Sequence, residues 1–207
     1  MTPFDPLNLG KKYTLLLAHG AGAGANSDFM QALRLAFEPS DIDLVRFEFG
    51  YMQQMTETGK RRPPSPFNQL IEQFSSVIAW CQEQTSRPLW IGGKSMGGRV
   101  ASHLLGTSTV MGGIVYGYPF HPPGKPDKLR TEHLQQITKP LHIIQGERDT
   151  FGSAAEVSEL TLDPGIELHW IPDGDHSFKP RKRSGYTLPS NLAMAASITQ
   201  QIILDSE

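Results

Sequence analysis

The sequence has little of several features that define whole classes of protein. Its 207 residues include a single cysteine, Cys81, so a framework of internal disulfides is excluded. No apolar run is long enough to span a bilayer, and the first residues lack the basic start and apolar stretch of a signal peptide. The formal net charge is only −2, which gives no field favouring nucleic acid or a membrane surface. We expect a cytoplasmic protein with neither kind of partner.

Repeats, low-complexity tracts and linkers are also lacking, and short apolar runs alternate with helical patterns instead. Strands are predicted at 13–18, 43–49, 89–92, 113–118, 141–145 and 166–171. Helices are predicted at 28–37, 67–83, 95–105, 128–137, 154–160 and 191–204, the second with Cys81 on its apolar face. This alternation predicts an α/β fold in one domain, residues 1–207. Its six-stranded, mainly parallel, doubly wound sheet should carry helices on both faces and no large cap domain.

A G-x-S-x-G element at residues 93–97 follows the third predicted strand and opens a predicted helix. In hydrolases built on such a sheet, this spacing puts a nucleophilic serine on a strained turn at the top of the sheet. Side chains at Gly93 and Gly97 would collide with the neighbouring strand and helix. The helix that begins at Ser95 directs its N–H groups towards developing negative charge. A P-loop is excluded, because Pro88 stands where that motif needs glycine.

An acid and a histidine follow Ser95 in the order that hydrolases of this fold require. Asp149 comes just after the strand at 141–145, and His176 comes just after the strand at 166–171. Ligand sites of such sheets lie beyond the carboxyl ends of the strands, so the three side chains should converge there. These placements predict a catalytic triad of Ser95, His176 and Asp149.

Other acids and histidines compete with this assignment. Glu147 is the nearest alternative to Asp149 as the acid of the triad. Asp149 itself could serve only to cap the following helix, because acidic residues favour helix starts. Asp173 and Asp175, beside His176, could serve only to form a turn. The remaining histidines fall in the first loop, in a helix, in strands or in a proline-rich segment: His19, His103, His142, His169, His121 and His133. No pair of them has metal-ligand spacing with a carboxylate, so we predict no metal site. The predicted chemistry also needs no cofactor.

The glycine-rich stretch after the first strand allows two interpretations. Residues 20–25 fit a dinucleotide-binding fingerprint, with Glu48 closing the next strand. In a hydrolase, the same loop supplies one backbone N–H of the oxyanion hole, and the residue after the nucleophile supplies the other. We predict the donors to be the N–H groups of Ala21 and Met96, with nucleotide binding as the alternative. His19 and Gly20 are predicted to support this loop.

Five stretches together resemble a known family. They are LLLAHGAGAG, GGKSMGGR, GYPFHPPGKPDKLRTEHL, QGERDTFG and DGDHSF, within residues 15–178. They are similar to the α/β-hydrolase-like family of the testis-expressed proteins and related chromatin-complex subunits, which has compact bacterial members. All but the proline-rich stretch also occur in dienelactone hydrolase-like enzymes. The resemblance implies an α/β-hydrolase fold with Ser95, Asp149 and His176 at the triad positions, and it names no substrate.

These observations predict a serine hydrolase that cleaves a carboxylic ester, thioester or amide of a small acyl compound through an acyl-enzyme. The alternative is a binding or scaffold module that retains the fold, since some members of the resembling family look like scaffolds. Loops at 50–66 and 119–126 are predicted to roof the site, lined by Met52, Met55, Tyr118, Phe120 and Phe151. Lys and Arg concentrate in loops after strands, which favours an anionic substrate, with solvated loops and local ion pairs as the alternative.

Overall fold

The computed structural model of the chain describes residues 3–106 and 109–206. The strands are β1 (Tyr13–Ala18), β2 (Ile42–Phe47), β3 (Leu89–Lys94), β4 (Gly113–Tyr116), β5 (Leu141–Gly146) and β6 (Ile166–Ile171). The helices are α1 (Asp28–Phe37), α2 (Gly50–Thr58), α3 (Phe67–Gln84), α4 (Met96–Leu104), α5 (Ala154–Val157) and α6 (Leu188–Leu204). A 3₁₀ helix spans Glu132–Gln135. The predicted domain limits, residues 1 and 207, lie outside the described ranges.

The six strands form one parallel sheet in the order β2-β1-β3-β4-β5-β6. The direction in which strands are added reverses at β1, which lies between β2 and β3. Ala18 at the end of β1 is in register with Gly93 near the end of β3. Doubly wound sheets bind their ligands outside the carboxyl ends of the strands at such a reversal. The loops after β1 and β3 therefore meet where a ligand site is expected.

Helices cover both faces of the sheet, because successive side chains of a strand point to opposite sides. Leu16 and Ala18 of β1 pack into a core with α2, α3, α4 and α5, whereas Leu15 and Leu17 pack into a second core with α1 and α6. The predicted doubly wound parallel sheet is confirmed, and the described residues include no cap domain. Cys81 is fully buried on α3, as its apolar stripe predicts.

Several predicted boundaries shift in the structure. β2 ends at Phe47 and β4 at Tyr116, each two residues before the predicted end. The segment predicted as a helix at 128–137 contains only the 3₁₀ turn, and α5 is shorter than predicted. α6 starts three residues early, because Thr187 and Ser190 form a reciprocal capping box ahead of its apolar pattern.

One helix was not predicted. Residues 50–58 form α2, where the sequence pattern indicates a loop. The helix buries only Tyr51 and Met52, so it lacks the long apolar stripe by which helices are usually recognised. The feature of the sequence that best indicates this helix is Gly59, which ends it in the left-handed conformation at φ 67°.

Candidate active site

The G-x-S-x-G element forms a sharp turn between β3 and α4. Ser95 has φ 53° and ψ −115°, a conformation that residues with a side chain rarely adopt. A Cβ at Gly93 would lie 2.5 Å from the carbonyl oxygen of Ala18, and a Cβ at Gly97 would lie 2.5 Å from that of His19. The predicted collisions are confirmed. Since α4 begins one residue after Ser95, the unpaired N–H groups of its first turn lie beside the serine.

Hydrogen bonds join the three residues predicted as a triad. Nε2 of His176 lies 2.9 Å from Oγ of Ser95, and its Nδ1 lies 2.7 Å from Oδ2 of Asp149. The side chains come from the loops after β3, β6 and β5. A proton on Nδ1 that is donated to the carboxylate leaves the Nε2 lone pair directed at the serine oxygen. The arrangement can therefore take a proton from the serine hydroxyl.

The carboxylate of Asp149 is completely buried and held by further hydrogen bonds. The N–H of Phe151 donates to Oδ1 at 2.8 Å, and Nε2 of Gln145 donates to Oδ2 at 3.0 Å. The Gln145 side chain also exchanges hydrogen bonds with the backbone of Tyr118. The sequence analysis did not identify Gln145. A polar residue in a buried strand such as β5 needs hydrogen-bond partners, so its presence there indicates a role in holding neighbouring groups.

The electrostatic surroundings keep the histidine neutral near pH 7. Burial holds the pKa of His176 below its ordinary value, the hydrogen bond to Asp149 opposes that shift, and the charge of Lys94 adds to it. Nζ of Lys94 donates to the carbonyl oxygen of His176 at 2.5 Å. Burial lowers the pKa of Lys94 itself to about 8, although Asp149 and Asp175 favour its charged form. A neutral imidazole is the form that a general base needs.

The competing acids hold turns together. Oε2 of Glu147 accepts the N–H of Asp173 at 2.8 Å, and Oδ1 of Asp175 accepts the N–H groups of Ser177 and Lys179. Ser153, not Asp149, caps α5. Among the described carboxylates, only that of Asp149 forms a hydrogen bond with the ring of His176.

Some of the basic loop residues are engaged in local ion pairs. Arg148 and Arg181 both pair with Asp173, whose pKa is lowered chiefly by its hydrogen bond to Arg181. Asp173 itself adopts φ 50°, as a residue in a tight turn can. At these two arginines, the contacts favour the prediction of solvated loops with local ion pairs over the prediction of a basic surface that attracts an anionic substrate.

His19 and Tyr51 support the loop after β1. Nδ1–H of the fully buried His19 donates to the carbonyl of Gly20 at 2.6 Å, and its Nε2 accepts the N–H of Phe49 at 3.1 Å. Burial lowers the pKa of His19 to about 4, so the ring stays neutral. The hydroxyl of Tyr51 donates to the carbonyl of Ala21 at 2.9 Å. The bonds to Gly20 and Ala21 engage carbonyl groups and leave the N–H of Ala21 available to a ligand.

The acid that a nucleotide site would need is used inside the protein. Oε1 of Glu48 accepts the N–H of Ala25 at 2.9 Å, and a Cβ at Gly24 would lie 2.3 Å from the same oxygen. In dinucleotide-binding folds this acid binds a ribose hydroxyl, and the glycine-rich turn opens directly into a helix. Here α1 begins only at Asp28. The geometry favours the oxyanion-loop interpretation of residues 20–25.

A cleft of about 300 Å³ opens beside Ser95. Its lining includes residues 20–23, Phe29, Lys94, Phe151 and Ser177. The predicted roof is wrong in its composition. Of the five predicted lining residues, Tyr118, Phe120 and Met52 are buried in the core and Met55 packs against it, so Phe151 alone lines this cleft. For Met52 and Met55 the reason is that residues 50–58 fold as α2 and turn these side chains inwards.

A second serine–histidine contact lies away from the cleft. Oγ of Ser102 is 2.8 Å from Nε2 of His133, whose ring stacks on that of His103 at 3.5 Å. Ser102 lies in the body of α4 and is 5% exposed, and its hydroxyl also bonds the carbonyl of Arg99. No carboxylate in the described ranges orients His133. This pair lacks the strained turn, the acid and the cleft that surround Ser95.

The sequence predicts no metal site because no pair of histidines has metal-ligand spacing with a carboxylate, but the fold brings two histidines and a glutamate together. His142 on β5 lies beside Glu167 and His169 on β6, with one potential ligand atom from each residue within 4.8 Å of the others. The linear sequence hides this group because pairing between β5 and β6 assembles it. The Ser95 site itself contains none of these residues.

The sheet order and the Ser–His–Asp side chains at its carboxyl edge define the α/β-hydrolase class. The chain belongs to the family described as Alpha/beta hydrolase domain, which it matches over residues 11–204. Among curated proteins, no sequence matches the chain. In the described ranges, no helix combines the length and apolar character needed to cross a membrane.

Solved structures share this architecture at low identity. A serine hydrolase homologue from Coxiella burnetii is 17% identical with a TM-score of 0.70, covering 96% of this chain and 88% of that one. A lidless serine hydrolase from Xanthomonas campestris is 18% identical with a TM-score of 0.66, covering 95% and 86%. Dienelactone hydrolase from Anabaena variabilis is 17% identical with a TM-score of 0.65, covering 95% and 88%. The likeness at these identities is one of fold.

Proposed function

We propose that the protein is a serine hydrolase that cleaves a carboxylic ester through an acyl-enzyme, with Ser95 as nucleophile. The observation that carries this proposal is the hydrogen-bonded series from Oγ of Ser95 through His176 to Asp149. It begins on a strained turn and borders a cleft, two further features that a nucleophilic serine requires. Thioesters and amides would follow the same route, and no cofactor is needed.

In the proposed reaction, Nε2 of His176 takes the proton of Ser95 while Oγ attacks the carbonyl carbon. Asp149 keeps the ring in the required tautomer and stabilises the imidazolium that forms. The N–H groups of Ala21 and Met96 bind the oxyanion, a contribution of about 3–4 kcal/mol per donor in related sites. His176 then protonates the leaving alcohol. Water, deprotonated by the same histidine, releases the acid and restores Ser95.

The nature of the substrate is inferred from the cleft. A volume of about 300 Å³ suits a small acyl group, and several of the lining residues are apolar, such as Phe29 and Phe151. The similar dienelactone hydrolase and lidless serine hydrolase are consistent with a small substrate that reaches an open site. Lys94 also borders the cleft, and an anionic substrate remains a prediction.

Three finer predictions complete the proposal. The proline-rich stretch 117–134 supports membership of the group of the testis-expressed proteins and chromatin-complex subunits. We further propose one domain for the whole chain and a cytoplasmic location, the latter because the single cysteine is a buried free thiol. The scaffold alternative is disfavoured, since a binding module has no need for three aligned catalytic groups.

Replacing the nucleophile tests the proposal directly. Ser95→Ala should lower kcat/KM for p-nitrophenyl acetate by at least about 10³-fold, because the triad acts as a unit. The urea midpoint should stay near that of the parent protein, since only the hydroxyl of a half-buried side chain is removed. A fluorophosphonate probe should label the parent protein on the peptide containing Ser95 and should not label the variant.

Ser102→Ala is the matched control, because it removes the hydroxyl of the other serine–histidine pair. It should retain both hydrolysis and labelling. If Ser95→Ala keeps the parent activity, or if Ser102→Ala abolishes it in folded protein, the assignment is wrong. If the folded parent protein neither reacts with the probe nor hydrolyses p-nitrophenyl esters or acyl-CoAs, the scaffold alternative is favoured.

A further inference from the structure

Two imidazoles and a carboxylate share one face of the sheet at its edge. In the register of β5 and β6, His142 lies directly opposite Glu167. His169 follows Glu167 by two residues and therefore points to the same side of β6. The three side chains thus form one cluster, with two ligands from the edge strand and one from its neighbour.

The separations between the potential ligand atoms suit a tetrahedral metal ion. Nδ1 of His142 is 3.3 Å from Nε2 of His169 and 3.5 Å from Oε2 of Glu167. Nε2 of His169 is 3.9 Å from that same oxygen. Ligand atoms at about 2.0–2.1 Å from a tetrahedral Zn²⁺ stand about 3.3 Å apart. Two of the three separations lie within about 0.2 Å of that value, and the third, between His169 and Glu167, exceeds it by about 0.6 Å.

The chemistry of the donors is that of a zinc site. Two imidazoles and one glutamate are the protein ligands of several zinc enzymes, with water completing the coordination. An unprotonated imidazole nitrogen offers a lone pair to a metal ion. Glu167 contributes a negative charge, and its side chain is 65% exposed, which leaves solvent free to reach an ion.

We propose that His142, Glu167 and His169 bind Zn²⁺ and join the edge strand β6 to β5. His142 precedes the end of β5 at Gly146 by four residues, about 13 Å of strand. The ion is therefore remote from the proposed nucleophile and takes no part in ester cleavage. Its effect is structural, because β6 carries the loop that holds His176 and, in the described part of the chain, has a neighbouring strand on one side alone.

Zinc titration of the full-length protein after treatment with a chelator tests the site. Calorimetry should show one Zn²⁺ bound per chain, and the thermal midpoint should rise with zinc concentration. Co²⁺ should give the intense visible absorption of a tetrahedral complex. Glu167→Gln should raise the Kd for Zn²⁺ by at least about tenfold, and His169→Ala should do the same or more. Hydrolysis of p-nitrophenyl acetate should persist in the chelator-treated protein.

Glu156→Gln is the matched control. Glu156 is also an exposed glutamate next to a histidine, with Oε1 3.6 Å from Nε2 of His121. Its ion pair involves that one histidine, whereas Glu167 lies beside two. This variant should bind Zn²⁺ as the parent does. The proposal is overturned if the parent protein binds no Zn²⁺, and the contact between His142 and His169 is then only a hydrogen bond. It is also overturned if Glu167→Gln binds Zn²⁺ as tightly as the parent. Because Glu167 is exposed, its variant keeps the test decisive even if His169→Ala fails to fold.

Discussion

Among single residues, Lys94 is the one whose position the motif least explains. It occupies the variable place before Ser95 and is 8% exposed, yet its ammonium bonds the backbone of His176 and lies 5.3 Å from the ring centroid of Phe29. A buried charge needs partners, and these contacts supply them. We infer that Lys94 is a positioning residue that also keeps the histidine neutral through its charge.

The pH profile of hydrolysis should report the charge of Lys94. For the parent protein, kcat/KM should rise as His176 loses its proton, with an inflection below about pH 6.5. Lys94→Met removes a positive charge that lowers the pKa of His176, so the acid inflection should move to higher pH. Lys94→Arg keeps the charge and should keep the inflection. An activity loss in Lys94→Met without movement of the inflection would contradict the electrostatic part of this role.

The sequence predicts the meeting of three side chains because each stands in the turn or loop that follows a strand. Position in the chain then implies position at the edge of the sheet, and Ser95, Asp149 and His176 meet as expected. Lys94 and Gln145 escape prediction, since their roles depend on which backbone atoms happen to lie across from them. The same limitation hides the pairing of His142 with His169, which becomes visible only with the strand register.

Among the elements, the turn between β3 and α4 has tight packing constraints. Gly97→Ala would place a Cβ 2.5 Å from one backbone oxygen and 2.6 Å from another, those of His19 and Ala18. Backbone at this position cannot move without displacing β1. We expect urea unfolding to show a loss of at least about 2 kcal/mol, the range of severe overpacking.

Gly22→Ala is the control for that substitution, since nothing lies within 4 Å of the Cβ it would create. Its free energy of unfolding should change by less than about 0.5 kcal/mol. Equal losses in the two variants would mean that the close approach at Gly97 is not what limits the turn.

The helix α2 differs from this turn, because its residues show no pattern from which a helix could be predicted. Only two of its side chains are buried, so its sequence has no apolar stripe.

For the whole molecule, one buried histidine and two half-buried ones predict sensitivity to mild acid. Burial lowers the pKa of His19 and His103 to about 4 and that of His133 to about 3. An unfolded histidine titrates near 6.5, so between about pH 6.5 and 4 the unfolded chain binds more protons than the folded one. The free energy of unfolding should therefore fall as the pH falls through this window. Fully buried His19 alone would account for up to about 3 kcal/mol.

Urea unfolding at a series of pH values between about 7 and 4.5 measures this effect. A free energy of unfolding that stays constant across the series would contradict the prediction. The stacked rings of His103 and His133 provide a further comparison, because replacing both with asparagine should flatten part of the pH dependence.

The positions of the proposed catalytic groups in the chain also affect the order of events during folding. Ser95 and His176 are 81 residues apart in the chain and meet only after β4, β5 and β6 have been added beside β3. Contacts between such distant segments form slowly, because the intervening chain must first lose its freedom. Recovery of hydrolysis after dilution from denaturant would therefore mark the docking of β6, and a newly synthesised chain would stay inactive until the segment that contains His176 had emerged.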